Sequence, residues 1–148
     1  MTSGAARVWM LWLACLVAAA VQAAPPGAGT LPAREWKAIT QVIAQQRSAL
    51  LAGDGGKAMA FATPALREQF RTPENFMRMV RSGYAPLLEA RATTFLEGAV
   101  IEGTVVQPLR LILPDNTVLV AIYQMEKQPD GRWKIAGCLL APSTVQAT

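Results

Sequence analysis

Histidine is absent from all 148 residues. That removes Ser-His-Asp and Cys-His nucleophilic schemes, which need an imidazole base, and the usual zinc sites, which use imidazole as a ligand. Cysteine occurs only at Cys15 and Cys138, too few for a disulfide framework. Charge of one sign is scarce as well: 14 basic side chains stand against 10 acidic ones, a formal net charge of +4. So mild a balance, without a clustered basic face, does not call for nucleic acid. A glycine-rich phosphate loop is missing too. Gly53-Asp54-Gly55-Gly56 follows a helical stretch rather than a strand, the wrong context for a cradle. No cofactor is indicated.

Long apolar runs are limited to one, Val8 to Val21 (VWMLWLACLVAAAV). Arg7 and no acid precede it, and Val21-Gln22-Ala23 places small residues at −3 and −1. The pattern predicts a secretory signal cleaved after Ala23, hence a periplasmic or secreted protein with no membrane attachment afterwards. An uncleaved anchor is the competing reading, but a spanning helix needs about 20 apolar residues. Lipidation at Cys15 is disfavoured by the bulky Trp12 before it. Cleavage would remove Cys15 and Arg7, so the mature chain keeps one thiol and cannot form an internal disulfide. The expected organisation is a signal over 1–23, a Pro/Gly-rich flexible leader over 24–33, one α+β domain over 34–142 and a disordered tail over 143–148.

Within the domain, Glu35 to Ala52 shows helical spacing, with Trp36, Ile39, Ile43 and Leu50 on one stripe. Glycines at 53–56 end it, and a short helix is expected over Lys57–Ala62. Thr63-Pro64 and Thr72-Pro73 repeat one signal, a threonine N-cap followed by proline at the first helical position. The second opens a helix over Pro73–Ser82 that turns Phe76, Met77 and Val80 inward. Tyr84-Ala85-Pro86 reads as a turn. From Leu88 onward the residues are β-formers, with strands expected at Ala90–Leu96, Val100–Val106, Leu109–Leu113, Val118–Lys127 and Arg132–Leu140. Helices first and strands last predict an α+β fold, helices packed on one face of a curved antiparallel sheet of four to five strands.

The run from Ile39 to Phe70 (ITQVIAQQRSALLAGDGGKAMAFATPALREQF), then FMRMV, YAPLL and GRWKIAGCLL, resembles the bacterial DUF4864 family of unknown function. The most specific pieces are Ala52 to Pro64 and the W-x-I-x-G-C-x-L ending, Trp133 to Leu140. The resemblance implies an NTF2-like cone of sheet wrapped around helices. It carries no catalytic residues across.

Four residues stand out as candidates for ligand contact: Tyr84, Tyr123, Trp133 and Asp54. The aromatics are amphipathic and would line a pocket between sheet and helices, or else fill the core with their polar ends satisfied. Asp54 is either a carboxylate at a pocket rim or, the simpler reading, the cap of the next helix. Cys138, in an apolar strand with no base nearby, reads as a buried sulfur, with pairing between chains as the alternative. Arg67, Arg71, Arg78 and Arg81 recur at helical spacing, but interleaved Glu68 and Glu74 make a solvated face the default. The function expected is a non-catalytic domain binding a small apolar or amphipathic ligand or a partner. Val118–Met125, apolar on both faces, suggests a homodimer through the open sheet face. An isomerase- or hydratase-type pocket enzyme is the alternative and would need a carboxylate opposite a tyrosine. A structural adaptor is the third reading.

Overall fold

A computed structural model describes residues 30–143. The expected signal and the tail beyond Ser143 lie outside the described residues, as does most of the leader. Five helices come first, α1 (Ala33–Leu51), α2 (Gly55–Ala60), α3 (Pro64–Phe70), α4 (Pro73–Gly83) and α5 (Ala85–Glu89). Five strands follow, β1 (Ala92–Phe95), β2 (Ala99–Ile101), β3 (Thr104–Ile112), β4 (Val118–Lys127) and β5 (Trp133–Pro142). The chain is therefore α+β, as its texture predicts. None of the helices among the described residues is long and apolar enough to cross a membrane.

Local chemistry sets most boundaries. Asp54 accepts from Lys57 N, Thr63 from Leu66 N and Thr72 from Asn75 N, so three consecutive helices open on a side-chain cap. Such a cap contributes on the order of 1 kcal/mol. The segment Tyr84–Pro86 does more than turn: it opens α5, whose last carbonyls accept from Arg47 on α1 (Nε to Leu87 O, 3.1 Å; Nη2 to Ala90 O, 3.2 Å). That cap comes from 40 residues away in sequence and leaves no local trace.

The sheet is antiparallel, ordered β1-β3-β4-β5, with β2 also pairing β3. One expected strand boundary moves. Val100–Val106 contains a hairpin, because Glu102 and Gly103 both take positive φ (49° and 80°), the two-residue turn that matches strand twist. β3 then runs unbroken through Pro108. The reason is visible in its register. Pro108 faces the gap between β1 and β2, where its carbonyl accepts from Leu96 N (3.1 Å), and the missing N–H lies on that same side of the strand, so no β3–β4 ladder bond is lost. The amide of buried Gln107 fills the gap, donating to Leu96 O (2.7 Å) and Pro108 O (3.1 Å). Next to it, Gly98 lies against the Trp36 ring, where a Cβ would come within 2.3 Å of the indole.

Apolar residues gather in two clusters. The larger joins Ile39 and Ile43 of α1 to Leu109, Leu111, Tyr123 and Ile135 on the inner face of the sheet. The smaller is made by helices alone, around Leu50, Ala58, Phe76, Met77 and Val80. Tyr84 packs against both, and the seam between them is where the site forms.

Candidate functional site

Inward-facing residues of β4 are Leu119, Ala121, Tyr123 and Met125, the alternation expected of a strand with one covered face. β5 would present Trp133, Ile135, Gly137 and Leu139 by the same rule. It does not, because the register shifts between Gln124 and Met125: Ile135 pairs with Met125, but Gly137 pairs with Gln124. Ala136 is the additional residue. The bulge reverses the parity of β5, so Cys138 and Leu140 join the core while Leu139 turns outward and is 57% exposed. Bulges re-aim side chains in this way near binding sites. Here it sets Cys138 directly across from Tyr123.

A cavity of about 190 Å³ opens above this pair, at the seam between the two clusters. Its floor is Tyr123, Ile135 and Leu87, with Leu50 and Val80 from the helices; its rim is Leu66, Gln69 and Phe70 of α3 and Met79 of α4. Phe70 and Phe76 meet edge-on across the α3–α4 junction, with ring centroids 5.5 Å apart. Tyr84 lines the cavity and donates its hydroxyl to Cys138 O at 2.7 Å. Tyr123 is 1% exposed, and its hydroxyl oxygen has no hydrogen-bond partner among the described residues. Buried hydroxyls are nearly always satisfied, so this one stands out.

The electrostatics follow from burial. Desolvation pushes the Tyr123 hydroxyl far above the ordinary tyrosine value, with Cys138 adding to the rise and Arg47 opposing it. Tyr84 moves up for the same two reasons, burial first and Cys138 second. Burial pushes the Cys138 thiol up to about 12. All three groups are therefore neutral at physiological pH. They can donate hydrogen bonds, and the thiol is a poor nucleophile because thiolate is the reactive form. Cys138 forms no disulfide among the described residues.

The four candidate contacts part company here. Tyr84 and Tyr123 come together with Cys138 at the cavity. Trp133 lies elsewhere on the inner face, donating its indole N–H to Glu35 at 2.7 Å while Lys127 stands 5.8 Å over its ring. Lys127 also binds the same carboxylate (3.1 Å), and these two donors hold Glu35 below the usual glutamate range, Trp133 contributing more. Asp54 is exposed and caps α2, outside the cavity. Glu89, Glu97, Glu102 and Glu126 are all exposed, and the cavity is lined by neither Asp nor Glu. Among the described residues no group of three or more His, Cys, Asp or Glu side chains could hold a metal ion. What the sequence reading missed is Cys138 as a neighbour of both tyrosines. The signal was Gly137, a glycine inside a strand, which marks a bulge.

The wall formed by α3 has its own character. The helix has no buried residue. Its first residue follows Thr63, held to β5 by Thr63 N to Ile135 O (2.9 Å). Its end is abrupt: Arg71 takes φ 68°, ψ −50°, and Thr72 N donates back to Phe70 O at 2.8 Å. That is the positive-φ γ-turn, a rare and strained conformation for a residue with a Cβ.

The family model described as a domain of unknown function, DUF4864, matches residues 32–148. The chain belongs to the DUF4864 family. The match takes in every element from α1 to β5 and every residue lining the cavity. No curated protein and no solved structure matches the chain. A DUF4864 assignment thus supplies the domain and its extent, and function must be argued from the site.

Proposed function

We propose that this is an exported, non-catalytic domain that holds a small apolar or amphipathic ligand between its helices and the inner face of its sheet. The observation that carries the reading is the Tyr123 hydroxyl, buried and without a partner among the described residues, beside an apolar cavity. An orphaned buried hydroxyl costs about 1–3 kcal/mol, and a site that is complete only when occupied accounts for its retention. The pocket-enzyme alternative needs a carboxylate within reach of a tyrosine. The cavity lining offers none, and Tyr84 is already committed to a backbone carbonyl.

Native mass spectrometry of protein purified from cells expressing the full chain tests both parts. The expected result is a mass lacking residues 1–23, carrying a substoichiometric adduct that is lost on denaturation. A full-length mass would overturn export, and an adduct-free protein insensitive to small apolar compounds in thermal melts would overturn binding. We further propose that the outer sheet face, where Val120 and Ile122 are half-buried and Leu139 is exposed, pairs with a second copy. Light scattering that gives a strict monomer at micromolar concentration refutes this.

A further inference from the structure

We infer that the ligand is an uncharged molecule of about one ring, bound with a carbonyl-type acceptor oxygen innermost, against the Tyr123 hydroxyl. The inference rests on the binding reading above and adds the ligand's chemistry. Size comes from the cavity. At about 190 Å³ it exceeds the roughly 150 Å³ of an engineered apolar cavity that admits benzene, leaving room for a ring and a few further atoms. Polarity at the buried end comes from Tyr123. A phenol can donate or accept, but a buried donor left unpaired is the rarer and less tolerated case. An oxygen acceptor repairs it.

Absence of charge follows from the lining. Its polar groups are amides, hydroxyls and a thiol, with no ionised side chain among them. Arg47 reaches the Tyr123 hydroxyl electrostatically, but its guanidinium is held by the α5 carbonyls of Leu87 and Ala90. A ligand carboxylate placed there would be buried without a partner, which is strongly unfavourable. The ring itself would rest among Leu50, Phe70, Phe76, Val80 and Ile135. Because the Tyr123 oxygen is out of reach of water, even from the cavity side, contact between it and a ligand in the cavity requires a wall to yield. The wall formed by α3 is the one with no buried residue.

Three probes of nearly one shape decide the matter: acetophenone, α-methylstyrene, which has CH2 in place of the carbonyl oxygen, and benzoate. Calorimetry on protein purified from cells expressing the full chain should rank acetophenone about 3- to 10-fold tighter than α-methylstyrene, the range of one neutral hydrogen bond. Benzoate should be weakest. In Tyr123→Phe the order of the first two should reverse, because the acetophenone carbonyl is then buried without a donor, with α-methylstyrene unchanged from wild type. Equal binding of acetophenone and α-methylstyrene to wild type would overturn the acceptor assignment and leave the binding reading standing. Benzoate binding as tightly as acetophenone would overturn the neutrality. Failure of all three to bind would overturn both the inference and the reading it rests on. The wild-type ranking needs no variant, so a misfolded Tyr123→Phe would not shelter the proposal.

Discussion

The inner face of the sheet presents two aromatic residues with polar ends, and the molecule treats them in opposite ways. At Trp133 everything is matched. The indole N–H meets Glu35, Lys127 meets the same carboxylate and also covers the ring, and α1 is tied to the ends of β4 and β5. At Tyr123, across the same face, the hydroxyl has been taken out of water and given no protein partner among the described residues. The first arrangement is what a structural core requires. The second lowers stability, and on the proposed reading something outside the chain completes it.

That contrast can be broken at either end. The largest effect should come from Trp133→Ala, which empties a buried indole volume and removes the shortest of the Glu35 contacts; a loss of about 3–5 kcal/mol is expected in urea denaturation. A loss under about 1 kcal/mol would mean that the Trp133 end is not the structural one. Next comes pH. Glu35 titrates below its ordinary value of about 4.5 in the folded protein, so its contribution is complete above that pH. It disappears as acidification passes through the lowered folded value. Glu35→Gln should flatten the acid limb of stability against pH.

The opposite sign holds at the cavity. The folded Cys138 thiol sits at about 12 against roughly 8.5 when unfolded. It is neutral in both states at pH 7 and begins to favour unfolding only above about pH 8.5, continuing up to 12. Cys138→Ala should remove the part of that decline between about pH 8.5 and 10, below the range in which Tyr84 and Tyr123 add to it with the same sign, and a thiol reagent should label native protein far more slowly than denatured protein at pH 8. A smaller effect belongs to Tyr84→Phe, which strips one hydrogen bond from Cys138 O and should cost about 0.5–1.5 kcal/mol. The smallest is Tyr123→Phe, expected within about 0.5 kcal/mol of wild type or more stable, since it removes an unsatisfied group without changing shape. A loss comparable to that of Tyr84→Phe would show that the hydroxyl is satisfied in solution, and the comparison of the two ends would collapse.

Much of the fold was legible because it is written locally. Asp54, Thr63 and Thr72 announce helix starts within three residues of the N–H groups they cap, and the apolar stripe of α1 repeats with the helical period. Features made at a distance were not legible. The Trp133–Glu35 bond spans 98 residues and the Tyr84–Cys138 bond 54, and neither composition nor spacing encodes such meetings. The site was half visible. Amphipathic aromatics singled out Tyr84 and Tyr123, which lie at the cavity, and Trp133, whose indole meets Glu35 instead. What separates them is register. A single additional residue at Ala136 decides which side chains of β5 face Tyr123, and strand propensity is blind to a shift of one.

The γ-turn at Arg71 bears on time rather than affinity. In a molecule that admits its ligand past α3, the rate of exchange is set by how readily that helix swings about its two ends. One end is pinned to β5 through Thr63, and the other is a backbone already held away from its minimum. Strain stored there would lower the climb to such an open form while leaving the floor of the cavity untouched. Substitutions at position 71 should then change the dissociation and association rates together, in the same direction, and leave their ratio nearly constant.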